Sequence, residues 1–316
     1  MKKPLIILTG PTAVGKTELS IALANLVHGS IISADSMQVY RHMDIGSAKI
    51  KKEEMCGIPH YLIDVFEPDE EFHVVRFQEY AKKYMEKIYK EGKIPIIVGG
   101  TGFYIQALLY DIDFTKQSED KSYRNQLERI AMEQGPHILY EKLAQVDPKA
   151  AEEIHKNNVK RVIRALEFYH LSGNKISEHN EIERQRESPY HFIYFVLKDE
   201  REHLYERINQ RVDQMITEGL VEEVRNLKKM GYQKHMVSMQ GLGYKEILDY
   251  LDGICTLEEA IYKIKRDTRH FAKRQLTWFR REREVTWINK PDFNYDNNKI
   301  LTYMKKEMEK KQILKG

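Results

Sequence analysis

The feature that most restricts the fold of this chain is a glycine-rich loop between a short apolar run and a helical stretch. The run Pro4–Thr9 leads into Gly10-Pro-Thr-Ala-Val-Gly-Lys-Thr17, which fits G-x-x-x-x-G-K-[ST], and Lys16–Val27 has helical character. The glycines let backbone N–H groups surround an anion, Lys16 supplies a positive charge, and the Thr17 hydroxyl can bind Mg²⁺. The pattern predicts a phosphate site, without specifying a nucleotide.

Strands and helices alternate through the first hundred residues. Gly29–Ala34, His60–Val65 and Ile94–Val98 read as strands, and His73–Glu91 reads as a helix with apolar residues near helical spacing. This alternation predicts a parallel sheet with helices on both faces. We therefore expect an α/β fold, a P-loop NTPase-like parallel sheet flanked by helices.

The pattern changes near Thr115. Residues 119–187 are helical and charged, and a strand-like run, Phe192–Leu197, follows before helices resume near Glu200. We expect an all-helical insertion domain at 115–189 within a catalytic core formed by 1–114 and 190–316. Trp287 lies in another strand-like run, and the last fifteen residues read as a helix.

Composition narrows the class of protein. The apolar runs of the 316-residue chain are too short to cross a bilayer, and no signal peptide is apparent. Cys56 and Cys255 do not form a C-x-x-C pair, which argues against a disulfide framework or structural zinc. We expect a cytoplasmic protein without membrane association.

Positive charge is concentrated in one segment. Residues 261–283 contain nine Lys or Arg and two acidic residues, so this segment has a net charge of +7. The rest of the chain has a net charge of −4, and the whole chain therefore has +3. This concentration indicates a polyanionic partner. A solvated helix face is an equally good interpretation.

The usual magnesium-binding acid of nucleotide hydrolases is missing. Their apolar strand ends in Asp, whereas Ile96–Val98 leads into Gly99-Gly100-Thr101-Gly102, which argues against routine ATP hydrolysis. The glycines either face the ligand crevice at the end of the sheet or form a tight strand–helix turn.

Asp35 follows the second strand directly and should lie near the phosphate loop. An Asp at a strand end is either a helix cap or a catalytic group. The neighbouring Ser36 and Gln38 have hydroxyl and amide groups suited to a base edge.

Six segments in chain order resemble the tRNA dimethylallyltransferases, also called tRNA isopentenyltransferases, of bacterial type. They are Gly10–Thr17, Asp35–Lys49, Val98–Tyr104, Lys160–Glu167, Gln240–Glu246 and Lys273–Trp278. The resemblance spans roughly residues 5–287. Ser47 and Ile50 replace the usual threonine and proline, away from the proposed reacting groups, and the zinc finger of eukaryotic members is absent.

The resemblance implies transfer of a dimethylallyl group from its diphosphate to the exocyclic amine of the adenosine 3′-adjacent to the anticodon in tRNA. Lys16 and Thr17, with Mg²⁺ bound by Thr17, would stabilise the leaving diphosphate, and Asp35 would act as general base. The implied diphosphate site comprises Gly10, Pro11, Thr12, Ala13, Val14, Gly15, Lys16, Thr17 and Arg211. By sequence alone, Arg211 is equally an ordinary helix-surface arginine.

The resemblance also implies a tRNA-binding surface. Its residues are Asp35, Ser36, Met37, Gln38, Thr101, Arg124, Lys160, Arg161, Val162, Ile163, Arg164, Met239, Gln240, Gly241, Leu242, Gly243 and Tyr244. Lys160, Arg161 and Arg164 can share one helix face and hold phosphates. The expected partners are the tRNA anticodon stem-loop and dimethylallyl diphosphate, and we expect the chain to act as a monomer.

Three alternatives share some of these features. A P-loop kinase of nucleotides or small molecules would leave the basic segment without a role. An adenylate isopentenyltransferase acting on free nucleotides would not need so large a basic surface. A non-catalytic RNA-binding protein would leave the phosphate loop and Asp35 unexplained.

Overall fold

A parallel sheet lies at the centre of the larger of two compact units. The computed structural model describes residues 2–114 and 122–314, and the six strands within them have the order β3-β2-β4-β1-β5-β6, all neighbours being parallel. The strands are β1 (Lys3–Thr9), β2 (Gly29–Ser33), β3 (His60–Tyr61), β4 (Ile94–Gly99), β5 (Tyr190–Lys198) and β6 (Val285–Asn289). The predicted fold class is confirmed.

Thirteen α-helices lie within the described residues. They are α1 (Lys16–Val27), α2 (Val74–Lys90), α3 (Gly102–Leu109), α4 (Ser122–Gln134), α5 (Pro136–Val146), α6 (Pro148–Glu153), α7 (Val159–Ser172), α8 (Ile176–Gln185), α9 (Arg201–Glu218), α10 (Leu220–Lys229), α11 (Tyr244–Leu251), α12 (Leu257–Phe279) and α13 (Asn297–Lys310). Short 3-10 turns span Ser238–Gln240 and Lys290–Phe293. No helix in this part of the chain has the length and hydropathy needed to cross a membrane.

The central strands are apolar throughout because both faces of the sheet are covered. Leu5–Leu8 of β1 are completely buried. Ile6 and Leu8 pack in one cluster with residues of α1, α9 and α13, including Leu19, Ile208 and Met304. This packing fixes the carboxyl end of β1, where the phosphate loop begins.

The third strand is shorter than predicted. Only His60–Tyr61 pair with β2, whereas the sequence favoured a strand over His60–Val65. Leu62 and Asp64 have φ angles of 62° and 54°, and left-handed backbone cannot continue a strand. The C-terminal helix, by contrast, begins earlier than predicted, at Asn297.

Residues 110–188 form the second compact unit, and residues 1–109 with 189–316 form the first. Helices α4–α8 of the second unit enclose a core that includes Leu127, Leu143 and Leu166. The buried Asp147 accepts hydrogen bonds from Ala150 N and from the Ser177 hydroxyl. The predicted boundary at Thr115 lies outside the described residues.

Candidate active site

The phosphate loop connects β1 to α1 through left-handed backbone. Gly10, Ala13 and Gly15 have φ angles of 147°, 64° and 96°. A Cβ at Gly10 would lie 2.6 Å from the carbonyl oxygen of Leu197 in β5, so only glycine fits there. The loop ends at the N-terminus of α1, where backbone N–H groups favour an anion.

Lys16 lies against the loop itself. Its Nζ donates to the carbonyl oxygens of Gly10 and Pro11, at 2.9 and 2.8 Å. Burial of the ammonium lowers the pKa of Lys16 to about 7. The negative charge of Asp35 opposes this shift, and the positive charge of Arg211 adds to it. A bound phosphate would raise this pKa again, because an adjacent negative charge stabilises the protonated amine.

Arg211 of α9 also lies at the loop. Its Nη1 donates to the Thr12 hydroxyl at 3.4 Å. Burial lowers the pKa of Arg211, and the charge of Asp35 opposes that shift. Arg211 is therefore a loop neighbour rather than an ordinary surface arginine, and its contact with a diphosphate stays a prediction.

Two further cations, which the sequence analysis did not single out, contact loop carbonyls. Arg207 donates from Nε to the oxygen of Ala13 at 2.8 Å, and Lys290 donates from Nζ to the oxygen of Val14 at 3.2 Å. Lys290 is buried, and burial lowers its pKa. The sequence did contain a signal for Arg207, since it precedes Arg211 by four residues and shares its helix face. No comparable signal exists for Lys290.

Asp35 lies at the carboxyl end of β2, and one of its two carboxylate oxygens accepts hydrogen bonds from the backbone. Oδ1 accepts hydrogen bonds from the N–H groups of Met37 at 2.8 Å and Gln38 at 3.4 Å. These bonds hold a turn that does not lead into a helix. None of the hydrogen bonds among the described residues uses Oδ2, so that oxygen can accept a proton from a ligand.

The second glycine turn is joined to the phosphate loop by Gln275 of α12. The buried Gln275 side chain accepts from Thr12 N and donates to Gly100 O, both at 2.9 Å. A Cβ at Gly100 would lie 2.2 Å from the Gln275 amide. Sequence reasoning missed this residue, although an uncharged, bifunctional amide within a basic run is a usable signal.

The predicted tRNA segments 35–38 and 239–244 lie next to each other. A Cβ at Gly241 would lie 2.4 Å from Met37 Cε, so the two loops are in close contact. The Met239 and Tyr244 side chains are completely buried. Their backbone is buried as well, so a tRNA contact by these two residues stays a prediction.

Glu223 of α10, also missed by sequence reasoning, supports the segment that follows Asp35. Its carboxylate accepts from the N–H groups of Asp44, Ile45 and Gly46 at 2.7–3.1 Å. It also accepts from the Tyr244 hydroxyl at 2.8 Å, and burial keeps that hydroxyl neutral by raising its pKa well above the ordinary value.

Of the remaining predicted tRNA residues, Thr101 lies in the first unit, where its N–H donates to Ala34 O at 3.2 Å, and the others lie in the second unit. Arg124 of α4 makes a two-point ion pair with Glu167 of α7. Lys160 and Arg161 are exposed in the first turn of α7, whereas the Val162 and Ile163 side chains belong to the buried core of this unit. Arg164 is half-buried.

Helix α12 and the residues after it carry the basic run. Lys265 pairs with Asp213. Lys273, Arg280 and Arg281 are exposed, and within the described part of the chain they have no ion-pair partner. Both interpretations of the basic run therefore apply in part: some of these charges are compensated, and others are available to a polyanion.

The fold and the loop are typical of α/β proteins that bind phosphate groups, and the similarities of the chain to known proteins give its family. The chain matches the IPP transferase family over residues 38–282. It is 61% identical to a tRNA dimethylallyltransferase of Lachnoclostridium phytofermentans over 313 residues, 99% of this chain and 100% of the relative. A tRNA dimethylallyltransferase of Acetivibrio thermocellus is 52% identical, with 95% and 96% coverage. The chain belongs to the IPP transferase family and is a transferase, which confirms the resemblance.

Solved structures agree with this assignment. The tRNA isopentenylpyrophosphate transferase of Bacillus halodurans matches with a TM-score of 0.74 at 45% identity, covering 99% of this chain and 98% of that one. A eukaryotic dimethylallyltransferase acting on tRNA matches with a TM-score of 0.79 at 32% identity, covering 91% and 74%.

Proposed function

We propose that this enzyme transfers a dimethylallyl group from dimethylallyl diphosphate to the exocyclic amine of the adenosine 3′-adjacent to the anticodon in tRNA. One observation carries the proposal: Asp35 follows β2 at the end of the sheet where the phosphate loop lies, close enough for its charge to act on Lys16 and on Arg211, which itself donates to Thr12 of the loop. The two cations suit a departing diphosphate, and the carboxylate suits an amine that must lose a proton.

The leaving group sets the first requirement. As the bond between C1 of the prenyl group and the diphosphate oxygen breaks, its electron pair stays on the diphosphate. Lys16, Arg211 and the N–H groups at the start of α1 would stabilise that growing charge, and such preorganised stabilisation is commonly the largest contribution to catalysis.

The nucleophile sets the second requirement. The exocyclic nitrogen is a weak nucleophile because its lone pair is delocalised into the adenine ring. When it forms a bond to C1 it must release one proton, so that the product is a neutral secondary amine. Asp35 Oδ2 would accept a hydrogen bond from the amine and then the proton, while Oδ1 stays bound to the N–H of Met37.

Mg²⁺ is the proposed cofactor. Among residues 2–114 and 122–314, no three His, Cys, Asp or Glu side chains form a metal-binding group. This suits Mg²⁺, which keeps several waters and commonly binds through one or two protein oxygens plus substrate phosphates. The exposed Thr17 hydroxyl is the protein oxygen that would hold it, and the ion would neutralise diphosphate charge.

The anticodon stem-loop would be bound by residues 35–38, Thr101, 239–244 and, in the helical segment 115–189, by Arg124 and residues 160–164. Lys160 and Arg161 support this role. They lie in the first turn of α7, where positive charge opposes the helix dipole, so they do not serve the stability of the helix. We also propose a monomer that acts in the cytoplasm, where tRNA is modified.

The test is to incubate the enzyme with tRNA and dimethylallyl diphosphate labelled in its prenyl group. Label should appear in tRNA, at the adenosine next to the anticodon when the product is digested and analysed. Label in AMP but not in tRNA would instead identify an adenylate isopentenyltransferase. Consumption of ATP without prenyl transfer would identify a kinase.

A further inference from the structure

The carbonyl oxygens of the phosphate loop are held by side-chain cations from three parts of the chain. Lys16 binds the oxygens of Gly10 and Pro11. Arg207 binds that of Ala13, from α9, and Lys290 binds that of Val14, from the turn after β6. Four of the five carbonyls between residues 10 and 14 are therefore engaged.

These contacts determine where the loop N–H groups point. Across a trans peptide, the C=O of one residue and the N–H of the next point in opposite directions. The Arg207 contact with Ala13 O accompanies a tight turn in which Val14 N donates to Pro11 O at 3.4 Å. The Lys290 contact with Val14 O directs the N–H of Gly15 away from Lys290. A loop without these contacts would be free to rotate its peptides and present carbonyl oxygens to an anion.

Neither Arg207 nor Lys290 forms an ion pair with a carboxylate of the described residues. Lys290 is only 7% exposed; burial and then the nearby Arg207 charge lower its pKa, and the charges of Asp199 and Glu18 offset this only in part. Burying charge without a paired carboxylate is costly for stability, so the position is better explained by what the cation holds.

We propose that Arg207 and Lys290 are positioning residues, which hold the phosphate loop in the shape that binds a diphosphate. Arg207 holds the turn that the Val14 N–H and Pro11 O close, and Lys290 orients the peptide that carries the Gly15 N–H. They act through hydrogen bonds to Ala13 O and Val14 O rather than through direct electrostatic attraction to the diphosphate. This inference rests on the proposed function for the identity of the ligand.

Arg207 allows a test that separates hydrogen bonding from charge. In Arg207→Gln, the amide nitrogen takes the place of Nε, so a donor to Ala13 O is kept and the charge is lost. In Arg207→Lys, the charge is kept but a methylene takes the place of Nε. Both substitutions are polar and similar in length. Arg201→Gln and Arg201→Lys, at an exposed arginine of the same helix, are the matched controls.

Inorganic diphosphate with Mg²⁺ is the probe, and its affinity is measured by calorimetry. Arg207→Gln should bind within about threefold of the wild type, and Arg207→Lys should bind about tenfold more weakly, the loss expected for one hydrogen bond at the upper end of the usual range. Both Arg201 controls should bind as the wild type does. Any other order for the two Arg207 variants overturns the inference.

Prenyl transfer by the wild type is measured in parallel. If the wild type transfers no prenyl group to tRNA but the diphosphate affinities follow the expected order, the proposed function fails and the positioning role stands. If transfer occurs and the order is different, the positioning role fails alone.

Discussion

Positive charge is used differently at the phosphate loop and at the start of α7. At the loop, Lys16, Arg207 and Lys290 donate to backbone carbonyls, and burial lowers the pKa of Lys16 and of Lys290. At the start of α7, Lys160 and Arg161 are exposed.

The two proposed sites would therefore recognise phosphate in different ways. Cations in a desolvated site act strongly and at short range, with a geometry that the fold determines. Exposed cations act through a field that salt screens within about 8–10 Å at ordinary ionic strength. The loop therefore suits one small diphosphate, and α7 suits an extended nucleic-acid backbone.

The largest expected effect is that of Asp35→Asn, which should slow the reaction without weakening tRNA binding. Asp35→Asn keeps an acceptor for the N–H of Met37 but removes the base, so turnover should fall by about 10²–10⁴-fold. The affinity for tRNA should change little. Single-turnover prenyl transfer and tRNA binding are the measurements, with Asp252→Asn as an exposed control. A normal rate in Asp35→Asn would end the general-base proposal.

The next effect concerns the charge at the loop. Lys16→Met removes a charged donor, and the affinity for inorganic diphosphate should fall by about 10–100-fold because hydrogen bonds to charged groups contribute about 1.5–3 kcal/mol. Calorimetry measures the loss, and Lys52→Met, at an exposed lysine, is the control. Equal affinities for the two variants would remove Lys16 from the site.

A pH dependence should follow from the same lysine. Since the pKa of Lys16 in the free enzyme is about 7 and a bound anion raises it, binding above pH 7 takes up a proton. Diphosphate affinity should then fall as pH rises through 7, by up to about tenfold per unit.

The ligand also titrates near neutral pH, so Lys16→Met is the necessary control for this dependence. The wild-type slope should exceed the slope of Lys16→Met by up to one proton. Identical slopes for the two proteins would contradict the assignment to Lys16.

The smallest expected effect tests α7. Lys160→Ala with Arg161→Ala should weaken tRNA binding several-fold and reduce the slope of log K against log salt by up to about two. Because these charges oppose the helix dipole, the unfolding temperature should stay the same or rise slightly. An unchanged salt slope would remove this helix turn from the tRNA surface.

Local sequence patterns predicted the strands, helices and loop that build the site more accurately than they predicted the side-chain contacts within it. The phosphate loop needs glycines, a lysine and a strand–helix junction, all within a few neighbouring residues, and the structure contains this arrangement. The third strand was overestimated because the pattern from His60 to Val65 does not reveal left-handed backbone at Leu62.

The missed residues are those whose partners lie far away in the chain. Gln275 contacts Thr12 across 263 positions, and Lys290 contacts Val14 across 276. No periodicity or spacing rule connects such pairs. Arg207 was accessible through its helical spacing from Arg211, but two arginines four residues apart are also common on helix faces that only meet solvent.

The sequence by itself determined the fold class, the family and the anion-binding loop, because each depends on the order of short motifs and on the alternation of strands and helices. Only the tertiary structure decided which side chains meet at that loop. Arg207, Gln275 and Lys290 reach it because the order of strands in the sheet places β5 beside β1 and β6 beside β5. Such proximity follows from packing across the whole unit, which no local segment specifies.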